Sequence, residues 1–167
     1  MDPGDALASM IEASMALAGF SGIVVVLGRR GQGEWQPQED LRLVNLLANS
    51  LTALLAALLG VLLLTTRLAP SIAWLVCSAV WLVAAGLHSA WIVGRSRALR
   101  EQALRRTNPL FFWFGSALSA VALALQLVNI AWLREFWPFF AGLLTSLALG
   151  ARQFVVLLRA GPLAGRG

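Results

Sequence analysis

Glu12 lies inside an apolar run that extends from Asp5 to Gly28, and no other acidic residue stands so deep within such a run. A carboxylate surrounded by hydrocarbon is costly unless it is paired, hydrated or protonated, so an acid there either binds something or specifies how helices pair. On a helix its face carries Ala8, Met15, Ala16 and Gly19. Two readings stay open at this point. One is a cation or proton site facing a cavity or an oligomer axis, and the other is a hydrogen-bonded glutamic acid that only sets helix packing.

The other polar residues within apolar runs fall into two depth classes. With a helical rise of ~1.5 Å per residue, Asn49, His88, Ser116 and Arg152 come out at about 10 Å from one boundary, which suggests an inner polar layer. There amides and hydroxyls are expected to satisfy Arg152 while its charge snorkels toward the headgroups, with a ligand site as the other reading. Gln126 and Asn129 belong to the opposite half and are the expected partners of Glu12. Asn45, Asn49 and Thr52 share one helix face, and Ser119, Ala122, Gln126 and Asn129 form an inward stripe on another.

Catalytic and metal chemistry are disfavoured. His88, the single histidine, shares a face with Cys77, Trp81 and Ala84 and has no carboxylate or second histidine at ligand spacing, so it reads as a hydrogen-bonded core residue. The lone Cys77 permits no internal disulfide and reads as a small packing residue. The segment Gly28-Arg-Arg-Gly-Gln-Gly33 lacks a preceding strand and the phosphate-binding lysine, and is expected to be a turn. No serine has a recognisable base and no helix face pairs two carboxylates, so no enzyme activity, metal or cofactor is expected.

These side chains have to be positioned by membrane-spanning helices. Five apolar runs, at about 5–28, 43–66, 71–94, 109–133 and 137–158, are each long enough to cross ~30 Å of hydrocarbon. A content of 59% hydrophobic and 13% charged residues agrees with an all-α helical bundle in a membrane, one domain over 1–167. Pro3, Pro37, Pro70, Pro109 and Pro138 stand at or just before the span starts, where a missing amide is harmless. Leu133-Arg-Glu-Phe-Trp-Pro138 separates the last two spans as a tight turn. Trp74, Trp91, Trp113, Trp132 and Trp137 fall near span ends, as interfacial tryptophans do, whereas Trp81 is central.

Arginine placement orients the bundle. Arg29, Arg30, Arg42, Arg95, Arg97, Arg100, Arg105, Arg106, Arg159 and Arg166 lie on one side of a five-span layout, with Arg152 near that side, and only Arg67 and Arg134 lie on the other. The basic side is expected to be cytoplasmic, with the amino terminus outside and the carboxyl terminus inside. The net charge of +5 therefore meets anionic headgroups, and nucleic-acid binding is not favoured. The segment 95–108 reads as a solvated basic linker, with a short helix on the inner leaflet as the other possibility. The acidic start Met-Asp-Pro-Gly-Asp and the length of the first run favour a retained span over a cleaved signal.

Small residues recur every four positions and are expected to be packing seams: Ser14, Ala18 and Gly22; Gly86, Ala90 and Gly94; Ser116, Ala120 and Ala124; Gly142, Ser146 and Gly150. Gly19 joins the first of these as a packing residue. The stretch Ala16-Leu-Ala-Gly-Phe-Ser-Gly-Ile-Val24, the later Phe136-Trp-Pro-Phe-Phe140 and Gln153-Phe-Val155 resemble an uncharacterised group of small bacterial multi-pass membrane proteins. That resemblance implies a bacterial inner-membrane location and lends no site residue. The expected role is a non-catalytic membrane module that self-associates or binds a membrane partner. The alternative is an oligomeric ion or small-solute channel with Glu12 as its site.

Overall fold

The computed structural model describes the backbone of residues 2–31, 37–103 and 109–160. Side chains are described at 2–23, 39–95 and 113–158. Those of Arg29, Arg30, Arg97, Arg100, Arg105, Arg106, Arg159 and Arg166 lie outside the described residues. Over the described residues the fold is an all-α bundle of five helices: α1 Pro3–Gly31, α2 Pro37–Leu64, α3 Pro70–Ala103, α4 Pro109–Val128 with a π-helical turn Asn129–Leu133, and α5 Phe136–Ala160. Each contains a stretch long and apolar enough to cross a membrane.

The helix starts follow local chemistry. Proline is the first residue of α1, α2, α3 and α4, where its fixed φ is pre-organised for the helix. Asp2 Oδ2 caps α1 by accepting from the Gly4 amide at 2.9 Å. Acidic Glu39 and Asp40 sit in the first turn of α2, where the helix dipole favours negative charge. That helix begins six residues before the apolar run does. It ends at Leu64, and the Thr65 and Thr66 hydroxyls donate back to the Leu62 and Leu63 carbonyls, both at 2.7 Å.

Two segments read as loops are more helical than expected. Gly28 to Gly31 continues α1, and the rest of the glycine-rich segment lies outside the described residues. The basic segment after Arg95 continues α3 as far as Ala103, because nothing from 95 to 103 breaks a helix and only the apolar character stops there.

Helix α2 packs most extensively against α1 and α5; α3 packs on α2, and α4 lies against α5 and α3. The buried core joins Leu7 and Met10 of α1, Ala56 and Ala57 of α2, Trp74, Cys77 and Trp81 of α3, Ala122 of α4, and Phe139 and Leu143 of α5. Trp74 is only 6% exposed, with ring centroids 4.9 Å from Phe136 and 6.2 Å from Phe139. It is therefore a core aromatic, unlike Trp91, Trp113, Trp132 and Trp137, which stay exposed.

The small-residue seams divide. A Cβ at Gly142 would stand 2.9 Å from Gln126 Nε2 and 3.2 Å from Trp81, and one at Gly150 would stand 3.0 Å from Leu17 Cδ2, so this seam of α5 is packed. Ser146 beside them is buried. Gly19 and Gly22 pack against no other helix of the same chain: a Cβ at either would meet nothing within 4 Å. Gly86 and Gly94 behave the same way, and Ser116, Ala120 and Ala124 form an exposed face of α4. Four-residue spacing of small residues marks a surface that permits close approach, without deciding whether the approaching helix belongs to the same chain.

Candidate functional site

Gln126 and Asn129 are tied to the α4–α5 turn. Asn129 is fully buried; its Nδ2 donates to Ser78 Oγ at 2.7 Å and to the Glu135 carbonyl at 3.1 Å, while its Oδ1 accepts from the Glu135 amide at 3.0 Å. Its carbonyl accepts from the Arg134 amide at 2.9 Å, closing the π turn, and Arg134 takes the left-handed conformation with φ 54°. Gln126, also fully buried, donates from Nε2 to the Pro138 carbonyl at 2.6 Å. One amide thus holds the turn from α4 into α5 and the other ties the two helices just below it.

Glu12 is not their partner. It lies on the exposed side of α1 with Ala8, Met15, Ala16 and Gly19, and Met15 is 60% exposed. The sequence reading paired Glu12 with Gln126 and Asn129 from depth alone, and depth does not give rotation about the helix axis. α1 instead buries Leu7, Met10, Ser14 and Ser21, which turns the Glu12 face away from the bundle. The carboxyl therefore sits on an outward surface of alanine and glycine.

The expected layer of Asn49, His88, Ser116 and Arg152 forms in part. Asn49 Nδ2 donates to the Asn45 carbonyl at 2.7 Å and to Asn45 Oδ1 at 2.8 Å, and Asn45 Oδ1 also lies 2.8 Å from His88 Nε2. Asn45 is the member that depth matching missed, although its place on the Asn45, Asn49, Thr52 face was visible in the sequence. Trp81 Nε1 donates to Ser146 Oγ at 3.2 Å, linking α3 to α5. Asn49, Thr52, His88 and Ser146 line a common pocket, which does not include Glu12.

Ser116 and Arg152 are placed differently. Ser116 lies on the exposed side of α4. The Arg152 guanidinium lies directly against Gly115, where any side chain would overlap it, so Gly115 is the residue that admits Arg152 between α4 and α5. Neither residue lines the pocket.

Cys77 is buried in the aromatic core and carries a free thiol. No protein-family model matches the chain, and neither does any curated protein or solved structure.

Proposed function

We propose that this chain is a non-catalytic, multi-pass module of the bacterial inner membrane that self-associates through the outward face of α1. The observation that carries the proposal is the Glu12 carboxyl on an exposed, small-residue surface of a helix apolar enough to cross a membrane. Hydrocarbon gives such a group no partner, whereas a neighbouring helix that comes close over Ala8, Ala16, Gly19 and Gly22 does. A second copy suits the chemistry, because two carboxyls can share a proton as donor and acceptor and a symmetric contact brings a residue onto its own counterpart. The arginine asymmetry supports an outside amino terminus, with the basic loops against anionic cytoplasmic headgroups.

The test uses engineered cysteines in a Cys77→Ser background, in native membranes. Ala16→Cys is expected to form an intermolecular disulfide, which requires Cα atoms within about 7 Å. Val83→Cys, 61% exposed on α3, is the control and is expected to stay uncrosslinked. Equal yields at the two positions would overturn the assignment. The conduit reading shares this face: with Glu12 outside the intrachain pocket, an ion path through it would have to run between copies, and flux separates the two roles.

A further inference from the structure

We infer that the pocket between α2, α3, α4 and α5 is a hydration site, holding one water molecule against His88 on the side away from Asn45. It has room for about 20 Å³, and a water needs roughly 10–15 Å³ together with about two to four polar partners. The wall supplies those partners from three helices: Asn49 and Thr52 of α2, His88 and Ser89 of α3, and Ser146 of α5.

Much of the wall's bonding capacity is uncommitted among the described residues. Both Asn49 amide hydrogens are used on Asn45, which leaves Asn49 Oδ1 as an acceptor. His88 uses Nε2 on Asn45 Oδ1, which leaves Nδ1 as a second acceptor. Ser146 Oγ accepts from Trp81 and keeps its own hydrogen to donate. Two acceptors and a donor are the complement of a water. Thr145 and Ser119, by contrast, direct their hydroxyls to carbonyls of their own helices.

The same wall argues against a cation. It contains no carboxylate, so an ion of similar size would lose its hydration without compensating charge. The ligand is a neutral hydrogen-bonding molecule of water's size, and its effect is to keep the imidazole in contact with exchangeable protons inside a span.

The chain has one histidine and one cysteine, and this permits a direct test. Protein labelled only at His88 ring nitrogens and at Cys77 is reconstituted in bilayers, and magnetisation transfer from water is followed by solid-state NMR. His88 is expected to polarise several-fold faster than Cys77, which lies fully buried in the apolar core. A His88 rate equal to that of Cys77 would overturn the proposal, and this comparison needs no variant. Thr52→Leu fills the pocket and is expected to slow His88 to the Cys77 rate. Ala85→Leu, filling it from α3, serves if the first variant does not fold. An unchanged His88 rate in a folded, filled variant would likewise overturn it.

Discussion

His88 Nε2 and Asn45 Oδ1 lie 2.8 Å apart, joining α3 to α2 across 43 residues of sequence. The pair fixes a proton. Asn49 Nδ2 donates to the Asn45 backbone carbonyl, so the Asn49 amide cannot be reversed, and its second bond requires oxygen at Asn45 Oδ1. An oxygen there makes His88 Nε2 the donor. Nitrogen chemical shifts of the single histidine are therefore expected to show the Nε2–H neutral tautomer. The Nδ1–H form would refute the orientation. Asn45→Ala should remove the preference and lower stability by about 1–3 kcal/mol, the range for a partner left unsatisfied.

Asn129 combines three side-chain hydrogen bonds with the turn that reverses the chain between α4 and α5. Asn129→Leu should cost about 2–4 kcal/mol, as it strands the Glu135 amide and carbonyl and forces a larger apolar group beside Ser78. Reversible unfolding in mixed detergent micelles gives the value. Ser78→Ala, which removes one bond only, should cost about 1 kcal/mol. Equal losses for the two variants would mean that the turn is not held by the amide.

Gly142 and Gly150 face the bundle with too little room for a Cβ, whereas Leu144 on the same helix is 47% exposed. Gly150→Leu should push Leu17 and α2 away from α5 and destabilise by about 3 kcal/mol or more, beyond the usual range for overpacking by a single methylene. Leu144→Ala should stay within about 1 kcal/mol, as exposed substitutions do. Gly22→Leu, with open space at its Cβ, should leave the isolated chain's stability unchanged and affect only assembly. Detergent unfolding midpoints measure the first two, and crosslinking yield measures the third.

Glu12 discriminates between assembly and conduction. Glu12→Gln preserves shape and hydrogen-bonding capacity and should leave assembly intact, while Glu12→Ala should weaken dimerisation by about 1 kcal/mol, several-fold in the association constant. Ion flux through reconstituted wild-type vesicles is expected to match that of empty vesicles over a series of pH values and ions. A flux that Glu12→Gln alters would establish the conduit instead.

Sidedness is checked with single cysteines in the Cys77→Ser background. Thr66→Cys, in the exposed turn between α2 and α3, should react with an impermeant thiol reagent applied to intact cells. Gln102→Cys should react only after permeabilisation. The reverse pattern would invert the topology read from the arginines.

The number of helices and their approximate ends were determined by the sequence alone. Hydrocarbon thickness sets a minimum apolar length, and the prolines and the Arg134–Glu135 break punctuate the runs. Rotation of each helix about its axis was not determined by the sequence. In a water-soluble bundle the polar side of a helix points out and reveals the rotation, but lipid is as apolar as the core, so that signal is absent. Hence α4 offered two plausible seams, and the bundle takes Ala122, Gln126 and Asn129 inward while Ser116, Ala120 and Ala124 face out. α1 likewise offered two, and burying Leu7, Met10 and Ser14 leaves Glu12, Gly19 and Gly22 outside. Depth placed Asn49 near His88, yet only packing of α3 on α2 selected Asn45 as the histidine's partner, because a side chain's reach spans a full helical turn and depth alone cannot rank residues within it.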